Sequence, residues 1–578
     1  MKPIPESFPE ISLFIARSHS TTAVNQTGSW RFARPIYNEK TAPCSAVCPA
    51  GTDIGRVGML AAGGRLKEAA ALILEENPLP AVCGRVCFHP CEAVCNRARM
   101  DESMAVHGLE RFLGDLALSQ GVEAPPTEQR ADGRRVAIAG AGPSGLAAAY
   151  FLSRLGFSCD IFESAPEPGG VLRWGIPAYR LPAEVLAGEI ARITRLGCRI
   201  HCDTSVTSSL LSEIRRSHDA LFVGCGHGKS IGIGIPGESM ITDGLAFLAD
   251  LRRRPAAAVQ GRVAVIGGGN TGVDVARSLR RLGARPILVY RRRRQDMPAF
   301  PPEVAMALEE GVRLMELAAP VRVERADPGY RLTLQTMRVF ETDDRNRARV
   351  CPDTAPEREM MVDGIFSAIG AEAAEPWQQP PRSGAGVLKY SHLQGDTRDF
   401  VTLYGGDLTN SVRSVPDAVA SGKQAAMVFD TLLEEGAGAV SGRLEASRVG
   451  PGPSLSMEIY RGGPRKDRSP RVVGWDDLNP AHFLPAPAGL PGRLDLNHRL
   501  SSFSEIETTF SETTAVEEAR RCFNCGLCNQ CDNCRLFCPE MAVAVDRTRQ
   551  IDLTYCKGCG ICVVECPSSA MDLVEEQR

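Results

Sequence analysis

The chain has 578 residues, room for about three or four domains, and its 43% hydrophobic and 23% charged fractions are those of a soluble globular protein. A net charge of −3 without a long single-sign run excludes a nucleic-acid footprint, and no run of 18 apolar residues is present to form a membrane span. The 21 cysteines gather near the two ends in metal-ligand spacings, which predicts a reducing, cytoplasmic setting.

Residues 1–39 read as a lead-in. Met1 to Phe14 carries prolines and acids where a signal peptide needs an apolar run, and the Ser/Thr-rich piece Ser18 to Ser29 is expected to be extended. Residues 40–122 form a helical domain between cysteines, with helix-spaced apolar positions over Ile54 to Leu60, Leu66 to Glu75 and Val106 to Leu118. A polar, proline-containing linker, Glu123 to Arg134, then precedes an abrupt change to alternating strand and helix.

Arg135-Val-Ala-Ile-Ala-Gly140-Ala-Gly142-Pro143-Ser144-Gly145 is a short strand running into Gly-x-Gly-x-x-Gly and an Ala/Leu-rich helix. Glycine there permits a tight turn, approach of the backbone to a pyrophosphate and packing of helix on strand, while the helix N-terminus attracts phosphate. Glu163, 23 residues after Gly140, ends the next predicted strand and can accept from ribose hydroxyls. The device recurs at Gly267-Gly-Gly269-Asn270-Thr271-Gly272, but the position matching Glu163 holds Tyr290, followed by four arginines, Arg291 to Arg294. Removing the carboxylate relieves repulsion of a 2′-phosphate, and guanidinium groups such as those of Arg291 and Arg292 bind phosphate in bidentate fashion, which favours NADP(H) over NAD(H). The alternative for any one of these arginines is a solvated face or a salt bridge. Two unequal sites predict FAD in the first and a nicotinamide nucleotide in the second. Between Gly140 and Asp407 no Cys-x-x-Cys occurs, so Cys159, Cys198, Cys202, Cys225 and Cys351 read as structural thiols and the flavin must pass its electrons elsewhere.

Residues 436–510 begin rich in Gly, Pro, Ser and Arg and read as a connector over the surface. Residues 511–578 hold ten cysteines, of which Cys528, Cys531, Cys534, Cys538 and Cys556, Cys559, Cys562, Cys566 form two Cys-x-x-Cys-x-x-Cys-x-x-x-Cys-Pro runs. In this bacterial two-cluster ferredoxin pattern the fourth cysteine of each run ligates the other run's cluster. Cys528, Cys531, Cys534 and Cys566 then hold one cubane, and Cys556, Cys559, Cys562 and Cys538 the other. A zinc ribbon also uses Cys-x-x-Cys pairs but has no need of eight thiolates in two matching sets. Cys522 and Cys525 are left over.

Further motifs occur in order: Cys44-Ser-Ala-Val-Cys48-Pro, Asn77-Pro-Leu-Pro, Cys83-Gly-Arg-Val-Cys87 with His89-Pro-Cys91-Glu and Cys95, Gly170-Val-Leu-Arg173-Trp-Gly-Ile-Pro177 and Met297-Pro-Ala299. With them, residues 40–435 resemble the small subunit of bacterial glutamate synthase and its relatives, the N-terminal half of dihydropyrimidine dehydrogenase and the flavoprotein subunit of NADH-dependent ferredoxin:NADP oxidoreductase. Through Tyr555-Cys-Lys-Gly-Cys-Gly-Ile-Cys562 the tail is similar to the ferredoxin subunit of 2-oxoacid:ferredoxin oxidoreductases. The resemblance implies an α-helical N-terminal iron–sulfur domain and two Rossmann-like α/β domains, the NAD(P)H domain (246–368) inserted between FAD-domain halves (135–245 and 369–435), followed by an α+β ferredoxin-like domain. It also implies that Gly170, Arg173, Gly406 and Asp407 lie at the flavin.

The family's helical domain holds two 4Fe-4S clusters. One is implied to use Cys48, Cys87, Cys91 and a non-cysteine ligand, for which Glu110 is the nearest candidate. The other uses Cys44, Cys95 and an upstream Cys-x-x-Cys, yet no cysteine precedes Cys44 here. Glu518-Ala-Arg-Arg-Cys522-Phe-Asn-Cys525 looks like that pair, moved to the opposite end of the chain. The expectation is that Cys522 and Cys525 fold back to complete the cluster, giving four clusters. The alternative is a single N-terminal cluster, three in all, with a structural pair.

Together these features predict an NADPH-linked, FAD-containing, multi-cluster electron transferase in which the cofactors do the chemistry and no side chain is catalytic. Its partner is expected to be a ferredoxin or an oxidoreductase complex such as a 2-oxoacid:ferredoxin oxidoreductase, with the direction of electron flow open. Two other readings are a glutamate synthase small subunit, which needs that enzyme's large subunit and gives the ferredoxin tail no task, and a non-catalytic cluster-bearing assembly or redox-sensor subunit.

Overall fold

The computed structural model describes residues 24–126, 133–254, 257–342, 348–381, 387–390, 392–397, 400–545 and 549–576; of the expected lead-in, residues 1–23, with Ser18 to Ala23 among them, lie outside the described residues. Apolar residues at helical spacing produce the helices Ile54–Ala62, Leu66–Glu76, Pro80–Val86 and Val106–Gln120. Val57, Ala61, Leu66, Ile73, Leu109 and Leu113 from three of them share one core. The tail helix Glu512–Arg520 joins it with Ala515 and Ala519, and Phe510 fills a space that Gly108 leaves open, since a Cβ there would meet the ring at 2.3 Å. The stretch expected to open the C-terminal module therefore belongs physically to the N-terminal domain.

The flavin-domain sheet has seven strands in the order Val387–Lys389, Leu393–Asp396, Val401–Gly405, Ala220–Val223, Arg135–Ala139, Ser158–Phe162 and Arg199–His201. From Val401–Gly405 onward the pairing is parallel. Ligands in such sheets sit beyond the carboxyl ends of the strands. Helices Pro143–Arg154 and Val415–Glu434 press together so closely that a Cβ on Gly422 would meet Ser144 O at 2.3 Å. The second, inserted domain has its own all-parallel sheet, Arg313–Met315, Arg285–Val289, Arg262–Ile266, Gly364–Ser367 and Thr242–Asp243. Where the chain crosses between the two domains, Lys229–Ser230 and Ala371–Glu372 pair as a two-residue antiparallel ribbon.

Two expectations are corrected. Residues 33–37 are not lead-in: Ala33–Tyr37 pairs antiparallel with Met571–Glu575, giving the C-terminal strand its partner from the other end of the chain. Residues 436–510 are not only a surface connector. Helix Ala437–Ala446 buries Val440 and Leu444 in the flavin-domain core, and Ser469–Val472 pairs with Lys40–Thr41. Both were invisible to local periodicity, because each short strand finds its partner hundreds of residues away. Thr27, Gly28 and Arg31 extend the N-terminal contact, with Gly28 N–H donating to Thr554 O at 2.8 Å and Arg31 to Cys556 O at 3.1 Å. A chain started at Lys40 is accordingly expected to keep its flavin but lose about half its iron, read as the iron-to-flavin ratio of anaerobically purified protein.

Candidate functional site

Both glycine turns open onto one cleft of about 1700 Å³. On the flavin side it is lined by Gly140, Gly142, Pro143, Ser144, Glu163, Gly170, Gly406 and Asp407. Helix Pro143–Arg154 starts without a side-chain cap, so its first N–H groups are left for an anion. Gly140 has φ +99°, and a Cβ on Gly145 would sit 1.9 Å from Gly140 O, so the two glycines serve turn and packing. Buried Glu163 accepts from the Ala141 and Ala165 N–H groups at 2.7 and 2.8 Å, which orients its carboxylate toward the cleft. Burial pushes the Asp407 carboxyl up. Arg173 departs from expectation: its neighbours Gly170, Val171 and Trp174 line the cleft, whereas Arg173 donates to Pro168 O at 2.7 Å and pairs with Glu167.

On the other side lie Gly267, Gly268, Gly269, Asn270, Thr271, Tyr290, Arg291 and Arg292. A Cβ on Gly269 would meet nothing within 4 Å, the open approach a pyrophosphate needs, whereas Gly272 faces Gly267 and packs the helix. Tyr290 covers Gly268 and donates its hydroxyl to Asp296 O at 2.8 Å. Of the arginines, Arg293 is paired with Asp296 at 2.8 Å, while Arg291 and Arg292 border the cleft. The donor sets thus fit two dinucleotides.

The cleft wall also includes Val86 and Phe88, the neighbours of Cys87, and Phe88 stacks on Phe300 of the second domain at 6.2 Å. Behind them a cavity is lined by Cys48, Cys87, Cys91 and Glu110. Glu110 accepts from Asn77 Nδ2 at 3.0 Å, and burial pushes its carboxyl up to about 7. Asn77, the head of the Asn-Pro-Leu-Pro motif, thereby orients Glu110, a role the motif alone did not disclose.

Cys44, Cys48, Cys95 and Cys522 pack around Cys91, Ile54 and Val106. Burial, with Cys522, Cys525 and Cys95 as neighbours, pushes the Cys44 thiol well up. Asn96 Nδ2 lies 3.4 Å from Cys525 Sγ. Thiols crowded and buried like this resist ionising on their own, which is the donor chemistry a cationic iron–sulfur core relieves. The Glu-Ala-Arg-Arg signature explains how the tail arrives there. Glu518 accepts from Ala105 N–H and Gly489 N–H at 2.7 Å each. Arg521 donates to Glu102 O at 2.7 Å and Ala486 O at 3.0 Å and pairs with Asp101 and Glu518. Arg97, which sequence reasoning missed, donates to Arg521 O at 2.8 Å and lies over the Phe523 ring.

In the C-terminal module the cysteines cross over. Cys566 and Cys534 neighbour Cys528 and Cys531, whereas Cys538 lines one cavity with Cys556, Cys559 and Cys562. Among the described cysteines Cys559 is the exposed one.

These sites define an NAD(P)H-dependent oxidoreductase with FAD and 4Fe-4S clusters. The family model for dihydropyrimidine dehydrogenase domain II, 4Fe-4S cluster, matches residues 23–122, that for pyridine nucleotide-disulphide oxidoreductase 134–384, and that for the 4Fe-4S binding domain 549–572. The chain is similar to the NADP(+)-dependent formate dehydrogenase subunit beta of Moorella thermoacetica, 35% identical over 525 residues, 84% of this chain and 70% of that one. It is 32% identical over 528 residues to the NADPH-Fe(3+) oxidoreductase subunit beta of Geobacter sulfurreducens, 85% of this chain and 76% of the relative. The NAD-dependent dihydropyrimidine dehydrogenase subunit PreT of Escherichia coli is 33% identical over 401 residues, 68% of this chain and 91% of PreT. The chain belongs to this glutamate synthase small-subunit-like family of electron-transferring oxidoreductase subunits. No helix among the described residues is long and apolar enough to cross a membrane.

Replacing Arg521 by Ala leaves Asp101 and Glu518 short of a buried cation, a defect that costs about 3–5 kcal/mol. A lower denaturation midpoint, with iron lost before flavin on titration with denaturant, is the expected result.

Proposed function

We propose that the chain passes electrons, one at a time, between NADP(H) and a catalytic partner subunit in a reducing, cytoplasmic compartment. FAD, when bound, converts a hydride into two single electrons and 4Fe-4S clusters carry them. The protein's part is to hold these groups in sequence. Glu163 and Asp407 orient the flavin nucleotide, and Arg291 and Arg292 take the 2′-phosphate where the flavin turn carries Glu163. Cys48, Cys87, Cys91 and Glu110 hold the cluster behind Phe88. Cys44, Cys95, Cys522 and Cys525 hold the next, and the two ferredoxin sets come after it.

One observation carries this reading. Cys522 and Cys525 lie beside Cys44 and Cys95, and Cys528 opens the first ferredoxin set three residues later. That continuity favours an outlet through the tail over a glutamate synthase role, which leaves the tail without a task. The named relatives are subunits of formate-oxidising and Fe(3+)-reducing enzymes, so the partner is taken to be a subunit with its own catalytic centre.

Anaerobic NADPH is expected to bleach the flavin with kcat/KM at least about tenfold above that of NADH, and Arg291→Ala with Arg292→Ala to erase most of that preference. Four clusters require about 16 irons per chain, and Cys522→Ala with Cys525→Ala should bring this to about 12 with loss of one EPR signal. Full iron in that variant would sink the assignment of the fold-back pair.

A further inference from the structure

Residues 493–509, read from sequence as part of a connector, touch the nicotinamide, flavin and cluster domains. The segment doubles back on itself, with Leu494 N–H donating to Ile506 O at 2.9 Å and Thr508 N–H to Gly492 O at 2.8 Å. Its helix Leu496–Ser501 carries Arg499, 4% exposed, whose two terminal nitrogens reach the Glu309 carboxylate of the nicotinamide domain at 2.7 and 3.2 Å. Ile506 N–H donates to Tyr179 O of the flavin domain at 3.0 Å, and Phe503 lies against the Tyr179 ring at 6.1 Å. Glu505 accepts from Arg85 at 2.6 Å, two residues before Cys87.

The nicotinamide domain also meets the flavin domain at the two-residue ribbon of Lys229–Ser230 and Ala371–Glu372, at Tyr179 and Arg180, which contact Asp274, Arg277, Arg281 and Glu303, and at Arg252 and Arg253, which contact Arg173 O and the Trp174 ring. So short a ribbon resists twisting weakly. Hydride transfer demands reacting atoms within about 3–3.5 Å, so a small rotation about that ribbon is enough to stop it. Arg499 grips the nicotinamide domain from an anchor that is fixed to both other domains.

We propose that residues 493–509 are a strap that holds the nicotinamide domain at the angle hydride transfer needs, with Arg499 and Glu309 as positioning residues. The inference rests on the NADPH-to-flavin reading above. Its test is anaerobic stopped-flow reduction of the flavin in the full-length holoprotein carrying Arg499→Ala, Arg499→Lys, Glu309→Gln, or the exchange Arg499→Glu with Glu309→Arg. At saturating NADPH the Ala and Gln variants should bleach the flavin at least about threefold more slowly, with half-saturation by NADPH changed by less than about twofold. Combining Arg499→Ala with Glu309→Gln should add nothing, and the Lys and exchanged variants should recover part of the rate. Unchanged rates in both single variants overturn the strap, as does a slowing that merely tracks lost flavin or iron. A wild-type chain whose flavin neither NADPH nor NADH bleaches overturns the underlying reading and the strap together, whereas normal wild-type bleaching with unaffected variants overturns the strap alone.

Discussion

The buried pairing of Arg521 and Glu518 with residues 101–105 is the contact on which the rest of the architecture depends. Single-electron carriers work only when held close together, and here the thiols brought into one group, Cys44 and Cys95 with Cys522 and Cys525, come from opposite ends of the chain. Arg521 directs its guanidinium to Asp101, Glu102 O, Ser103 O and Ala486 O, while Glu518 accepts from the N–H of Ala105, the residue just before the helix Val106–Gln120. A loop that would otherwise be mobile is thereby given one position, and that position sets Cys522 and Cys525 against Cys44 and Cys95.

A second buried charge does the same for the flavin end. Lys423, in the middle of the helix Val415–Glu434, donates to Glu76 of the cluster domain and to Ala50 O, two residues beyond Cys48. Burial alone pushes the Lys423 ammonium down, and Glu76 opposes that shift. Glu76 in turn accepts from Ser456 and from Met457 N–H of the segment beyond the helix. The helix whose N-terminus borders the cleft is therefore locked to the loop bearing Cys48. This contact ties the flavin and cluster domains together, and the strap adds a grip on the nicotinamide domain to the contacts it makes at Tyr179 and Arg180.

How far the sequence could be read depends on how local each signal is. Glycine turns, the acid at Glu163, the arginines after Tyr290 and the paired cysteine runs are all short-range patterns, and the fold has the expected strand and helix on either side of each glycine turn and the expected strand before Glu163. The rearrangement of the tail was legible for a different reason: four ligands were needed near Cys44, two were absent, and a matching pair lay elsewhere. Arg173 misled because a motif specifies a neighbourhood, whereas the direction of a side chain depends on the turn beneath it. The strand Ala33–Tyr37 and residues 493–509 left no local trace, since a five-residue strand and a hairpin-like strap draw their stability from partners far along the chain.

Commitment of the tail to the N-terminal domain also accounts for the origin of that first strand. Residues 522–527, immediately before the first ferredoxin cysteine, are held by Asn524 Nδ2 donating to Gly55 O at 3.0 Å and by Leu527 packing against Gly55. They cannot also lie beside Met571–Glu575, so the C-terminal strand needs an edge partner from elsewhere. Ala33–Tyr37 fills that edge, and buried Lys40 secures the junction: its ammonium donates to Ser569 O at 2.6 Å and pairs with Asp572, while its backbone N–H donates to Gly526 O. Gly526 has φ +81° and a Cβ there would meet Lys40 O at 2.5 Å, so the glycine between Cys525 and Cys528 is what allows the two chain ends to meet. The two chain ends thus build the ferredoxin module jointly, and it becomes a part of the flavoprotein through a strand from one end and cysteines from the other.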